Sequence, residues 1–155
     1  MPSHAPGGYL CPLCEIVAGR ETERNRRSDI VWSDAATTAF VSPKWWETNR
    51  AHVIVVPNEH FENLYEIPEQ ALSAVYATAK RVALALKDVY GCDGTSTRQH
   101  NEPGAQQDVF HFHVHVYPRY FDDRLYQSHD RVRWASPEER APYAERLRRR
   151  LAEAE

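Results

Sequence analysis

From Phe110 to Val116 the chain alternates without a break, Phe110-His111-Phe112-His113-Val114-His115-Val116, and then reaches Tyr117-Pro118-Arg119. Strand side chains alternate faces with a period of two, so the pattern predicts a strand over about Val109–Pro118. One face is apolar (Phe110, Phe112, Val114, Val116) and must be covered by core. The other carries three imidazoles, where packing alone would favour Val or Ile. A chain built this way needs a sheet that is buried on one side and open to chemistry on the other. Three satisfied structural histidines are the plain alternative, but polar side chains rarely fill a whole face.

The helix to cover that sheet is also visible. Leu72, Val75, Tyr76, Ala79, Val82, Ala83, Leu86, Val89 and Tyr90 recur at spacings of three and four, which predicts an amphipathic helix from Pro68 to Tyr90. Pro68 suits its first turn and Gly91 its stop. Short strands are predicted around Asp29–Ser33, Thr37–Val41, His52–Val56 and Gly94–His100, with Ser42–Ala51 and Asn101–Gln107 as loops. Cys11–Gly19 reads as a knuckle running into a short helix, and Glu21–Ser28 as a charged connector. Ser136-Pro137-Glu138-Glu139 opens a last helix with a capping box. Its basic end, Arg146–Arg150, reads as a solvated face.

Composition narrows the class. The chain has 155 residues, 42% hydrophobic and 26% charged, the profile of one ordinary globular domain that needs no disulfides. A net charge of -3 argues against bulk electrostatic binding to nucleic acid or membrane. No run approaches a membrane span, and Met1–Leu10 lacks the pattern of a secretory signal, which fits a cytoplasmic protein. Of three cysteines, two form Cys11-x-x-Cys14, which in a reducing compartment reads as a metal or redox pair. Cys92 is left as a small core residue.

Two chemistries remain open on these residues. The imidazoles could chelate a catalytic metal. Alternatively one is a nucleophile, and its neighbours hold phosphate oxygens and move protons. The upstream turn Asn101-Glu102-Pro103-Gly104-Ala105-Gln106-Gln107 offers backbone N–H groups and neutral amides, and Arg119 lies at the far end. Neutral donors facing imidazoles suit a phosphate better than a metal.

An Asn-bearing turn, a Gln and then His-φ-His-φ-His-φ-φ-Pro-Arg resembles the signature of the histidine triad family. His52-Val-Ile-Val-Val-Pro57-Asn-Glu-His60 resembles that family's strand-Pro-x-x-His element. Cys11-Pro-Leu-Cys14-Glu-Ile-Val-Ala-Gly19 resembles the knuckle of its zinc-bearing members. The resemblance spans Cys11 to Arg119. It implies an α+β fold, an antiparallel sheet of about five strands with one long helix packed across it and a C-terminal helix. By position this gives a tail over 1–10 that is flexible, a triad domain with a zinc knuckle over 11–135, and the last helix over 136–155.

The same resemblance implies roles. His113 is the nucleophile that attacks an α-phosphorus, His115 holds a phosphate oxygen, and Gln107 sits near the leaving group or the incoming water. Asn101 contacts phosphate or sugar, and Phe40 walls the nucleoside pocket. Cys11, Cys14, His60 and His111 hold a structural zinc, a closed set with no open position. The implied partner is a small nucleotide, and the implied assembly is a homodimer. The function implied is a nucleotidyl hydrolase or transferase acting on an amine, phosphate or acyl leaving group. A zinc enzyme with His113 and His115 as ligands, and a non-catalytic nucleotide sensor, are the rivals.

Four features depart from the family pattern. Phe40-Val41-Ser42-Pro43 lacks the usual carboxylate for the ribose, which leaves Ser42 as its substitute. The stretch from Phe40 to His52 looks about two residues longer than usual and holds Trp45 and Trp46, either of which could stack on a base or pack the loop. Asp108 stands where many members carry Ser or Thr toward the phosphate; it either faces the nucleotide or orients an imidazole N–H. Gln106 replaces the usual Gly. His4, His100 and His129 fit no motif and read as surface or turn histidines.

Overall fold

A computed structural model gives the fold and describes residues 2–153; the side chain of His129 and the outermost residues at each end lie outside the described part. In chain order the elements are α1 (Pro12–Val17), β1 (Ile30–Ser33), β2 (Thr37–Val41), β3 (Lys44–Trp46), β4 (Val53–Pro57), α2 (Glu69–Tyr90), β5 (Gly94–Arg98), β6 (Val114–Arg119), β7 (Val132–Trp134) and α3 (Pro137–Ala152). Five strands form one antiparallel sheet in the order β1-β2-β4-β6-β5. The α+β architecture expected from the sequence is the one observed.

Strand register sorts the side chains by face. Ala39 pairs with Val55 and Val55 with Val114, while Val41 pairs with Val53 and Val53 with Val116. These residues are all buried, against Val75, Ala79, Val82 and Leu86 of α2. Full burial of each larger side chain is worth roughly 1.5–3 kcal/mol before entropy is subtracted. The opposite face carries a second row: Phe40 opposite Ile54, Ile54 opposite His115, and His115 opposite Arg98. Directly opposed residues share a face. Only the Phe40–Ile54 end of this row is covered, by Leu13 and Ile16 of α1.

α2 ends as predicted: Gly91 adopts the left-handed conformation, φ 58°, and its N–H bonds the Lys87 carbonyl. Tyr76 departs from the predicted stripe and is exposed. α3 opens with the predicted Ser136/Glu139 capping box. It is fastened by a buried bidentate pair in which Arg140 Nε and Nη2 each donate to Asp29 at 2.8 Å. Arg140 also donates to the carbonyls of Ala135 and Arg24.

Two sequence expectations need correction. The loop expected over Ser42–Ala51 contains β3, which pairs with β7 nearly ninety positions later, a partner that local composition does not reveal. The strand expected from Val109 starts only at Val114. Before it the backbone is held irregularly: Phe112 N–H donates to the Phe61 carbonyl at 2.6 Å, and Phe110 N–H to the Tyr9 hydroxyl at 3.1 Å. Phe110 packs edge-on against Tyr9 rather than entering the main core.

Candidate active site and metal centre

Because β6 begins late, the three histidines do not form one row. His111 is fully buried beside the amino-terminal knuckle. Its Nε2 hydrogen donates to the Pro57 carbonyl at 3.0 Å, so Nδ1 presents a lone pair. That Nδ1 lies 3.4 Å from Cys11 Sγ and 3.5 Å from Cys14 Sγ, and His60 Nδ1 lies 3.3 Å from Cys14 Sγ. The four ligand atoms lie within 4.8 Å of one another. Tetrahedral zinc with ordinary Zn–S and Zn–N bonds separates S from N by about 3.6 Å. The donor set and spacing therefore fit a closed Cys₂His₂ site, and the Pro57 carbonyl is the outer partner that such histidines use. Burial and the adjacent Cys11 push the Cys14 thiol up to about 11. Two neighbouring thiolates need a cation between them, which fits the same reading.

His113 turns the other way, into the main cleft. Its Nδ1 hydrogen donates to the backbone carbonyl of His111 at 2.7 Å, since a carbonyl can only accept. This fixes the tautomer and leaves Nε2 as a bare lone pair. Burial holds the ring below the usual histidine range, opposed by that carbonyl bond. A neutral imidazole with an unpartnered Nε2 lone pair is a competent nucleophile at neutral pH.

His115 is the neighbour on β6, with its ring centroid 5.0 Å from that of His113. Its Nδ1 meets His52 Nε2 at 3.1 Å. Burial keeps both rings neutral, pulling His52 down to about 3 and His115 well below its ordinary value, and nearby Arg98 pushes both the same way. One proton is shared between the two nitrogens, and the unpartnered Nδ1 of His52 decides where it sits. If His115 donated, His52 would carry a buried N–H with no acceptor. If His52 donates, its Nδ1 is only a bare lone pair, the cheaper orphan. His52 therefore donates, and His115 keeps its hydrogen on Nε2. His52 is further fixed by stacking on Tyr117 at 4.4 Å.

The cleft has a volume of about 710 Å³. Of the residues singled out by sequence, Phe40, Ser42, Gln107, Asp108, His113 and His115 line it. Asn101 does not: its side chain is turned to Leu64 and Gln99, where both amide ends are engaged. Gln107 lines the wall, yet both its amide hydrogens are used, on the Glu62 and Val109 carbonyls, and its oxygen accepts from Glu102 N–H. Ser42 hydroxyl is occupied with Lys44 backbone. Asp108 is exposed at the rim. Gln106 sits at φ 68°, the left-handed region where Gly would be unstrained. Trp45 is core, edge-on to Tyr143, whereas Trp46 lines the cleft beside His52. Arg119 is bound bidentately by Asp123 outside the cleft.

Sequence alone does not assign His52, Arg98 and His100 to the cleft, which all three line. His52 begins a run of buried β-branched residues and reads as core. Its signal was the strand alternation that sets it apart from Val53.

The HIT domain family model matches residues 23–122 of this chain. Protein hit of Bacillus subtilis is 31% identical over 110 residues, covering 71% of each chain. The crystal structure of a Zn-bound histidine triad family protein from Mycobacterium smegmatis superposes with a TM-score of 0.76 at 26% identity, covering 93% of this chain and 94% of that one. That of a hypothetical histidine triad nucleotide-binding protein from Sulfolobus tokodaii gives 0.77 at 26% identity, covering 92% and 93%.

Proposed function

This chain belongs to the histidine triad family, and on that premise we propose that it is a nucleotidyl hydrolase or transferase with His113 as its nucleophile. The observation that carries the reading is the 2.7 Å bond from His113 Nδ1 to the His111 carbonyl, which leaves Nε2 free toward the cleft. In the first step Nε2 forms a bond to the phosphorus of a nucleoside monophosphoryl group. The bond from phosphorus to the leaving group breaks, and the leaving group departs with its electron pair. In the second step water or another acceptor attacks the phosphorus, the N–P bond breaks, and neutral His113 returns. His115, with Nε2–H turned to the cleft, donates to a phosphoryl oxygen on which charge builds up. His52 is the positioning residue for that donor. Gln107 braces the loop that bounds the phosphate side.

Cys11, Cys14, His60 and His111 would hold zinc. When bound, the ion ties the knuckle to the segment whose His111 carbonyl orients the nucleophile. We assign it no chemistry beyond this, because a four-ligand set leaves no open position. His113 and His115 lie outside this ligand cluster, which weighs against the rival in which they coordinate a catalytic metal. A homodimer in the cytoplasm completes the proposal.

Intact-mass analysis after mixing with adenosine phosphoramidate or diadenosine polyphosphate tests the mechanism. Wild type should carry a transient nucleotidyl adduct, and His113→Ala should carry none. Undiminished cleavage by His113→Ala would refute it.

A further inference from the structure

We infer that Arg98 makes this cleft selective for substrates with a second anionic group directly beyond the reacting phosphate, that is, nucleoside polyphosphate-type substrates. The inference rests on the nucleotidyl reading above and adds the class of leaving group to it.

The argument starts from strand register. One cross-sheet row runs Phe40–Ile54–His115–Arg98 along the open face, stepping from β2 through β4 and β6 to β5. All four residues line the cleft. The row is apolar at one end, hydrogen-bonding in the middle and cationic at the other. Adjacent strands are about 4.8 Å apart, so each step moves by roughly the length of one phosphate unit and its linkage. A nucleoside on Phe40 and Ile54, with its phosphate at His115 and His113, therefore points its next substituent toward Arg98.

Arg98 is also electrostatically unspent. It is half-buried, yet no carboxylate pairs with it among the described residues, and its Nη1 is covered with no hydrogen-bond partner. In contrast, Arg119, Arg140 and Arg150 are each held by an aspartate. A cation kept partly out of water without a counter-ion is costly unless something anionic arrives. What does touch Arg98 is neutral. Tyr117 and Tyr126 lie under its guanidinium at 5.7 and 5.6 Å. His100 Nε2 faces its Nη2 at 3.5 Å, and that nitrogen can only accept, because His100 Nδ1 donates to the Ala105 carbonyl. These contacts aim and hold the charge without neutralising it. A neutral amine or a short uncharged leaving group would leave it unpaired. A β-phosphate would pair it.

Calorimetric binding of AMP and ADP to the full chain reads this directly, since the two differ by the phosphate in question. Wild type should bind ADP at least about tenfold more tightly than AMP, the scale of one charge-assisted hydrogen bond. Arg98→Met should collapse that ratio toward one, and Arg98→Lys should retain part of it as a point charge. The ratio also guards against a general folding defect, which would weaken both ligands together. AMP binding with no ADP preference in wild type overturns this inference alone. Failure of wild type to bind either nucleotide overturns both the inference and the nucleotidyl reading. A preference that survives Arg98→Met undiminished overturns the assignment to Arg98.

Discussion

Replacing His52 by phenylalanine keeps a ring that can stack on Tyr117 but deletes the hydrogen bond to His115. The consequence can be sized from the tautomer argument. With His52 in place, the only cheap arrangement puts a hydrogen on His115 Nε2, facing the cleft. Without it, His115 Nδ1 has no partner, the ring can choose either tautomer, and its plane is held by packing alone. Losing one net hydrogen bond of about 1.4 kcal/mol gives a tenfold defect. Losing a preorganised oxyanion donor outright gives about 10²–10³. The variant sits between these limits, so a fall of about 10- to 100-fold in kcat is expected, with a smaller change in KM. His52→Gln, which carries an amide hydrogen at similar reach, should recover part of the loss. Steady-state kinetics give the rates, and ¹⁵N chemical shifts of His115 report which nitrogen is protonated. A His52→Phe enzyme within twofold of wild type, or a wild-type His115 protonated on Nδ1, would refute the reasoning.

The same residue predicts a pH dependence of stability. Burial brings His52 to about 3, and the groups that press on it, Arg98, His113 and Lys44, offer no compensating anion. Between that value and the unfolded value near 6.5 the unfolded chain binds more protons, so stability rises with pH. The contribution is complete above about 6.5 and is lost as pH falls toward 3, to a ceiling of roughly 4–5 kcal/mol. His52→Phe should therefore make the rise of melting temperature between pH 4 and 7 shallower, the other buried histidines supplying the remainder; an unchanged acid slope would contradict this. Asp29→Asn strands the buried Arg140 guanidinium and should cost about 3–5 kcal/mol, or roughly 6–20 °C by scanning calorimetry. A drop under 2 °C would show the pair to be dispensable, whereas combining Asp29→Leu with Arg140→Met should recover most of the loss. Elemental analysis should find about one zinc per chain, and Cys14→Ser should lose it together with some thermal stability. Purified protein that takes up no zinc would count against the metal centre.

How far the sequence could be read depended on whether each feature is local. The helix over Glu69–Tyr90 and the strand Thr37–Val41 are set by periodicity within the segment, and they appear at or within a residue of the expected bounds. The Cys11–Cys14 pair and the histidines at 60 and 111 converge as the resemblance implied, because ligand chemistry leaves few other uses for them. The histidine run differs in shape from what its alternation predicts. Perfect alternation predicts a straight strand, but the carbonyl of Phe61 and the hydroxyl of Tyr9, about 50 and 100 positions upstream, capture its backbone and delay β6. That delay is what divides the labour: His111 goes to the cysteines, His113 to the cleft, and His115 alone stays on the ladder.

Register explains the residues that were overlooked. Whether a strand residue faces core or cleft depends on its partners, and those come from other segments. Arg98 reads locally as the polar end of a weak strand, Gly94–Arg98, with no apolar alternation to give it a side. Its meaning appears only once it stands opposite His115, which in turn stands opposite Ile54. Asn101 fails in the opposite direction. Its motif position suggested a phosphate contact, but a side-chain amide between two loops is worth more as a brace to Leu64 and Gln99 than pointed at water. A polar residue near a reactive one is therefore a weak guide to function until its own hydrogen bonds are counted, and by that count the unspent groups facing this cleft include His113 Nε2, His115 Nε2 and the charges of Arg98 and Lys44.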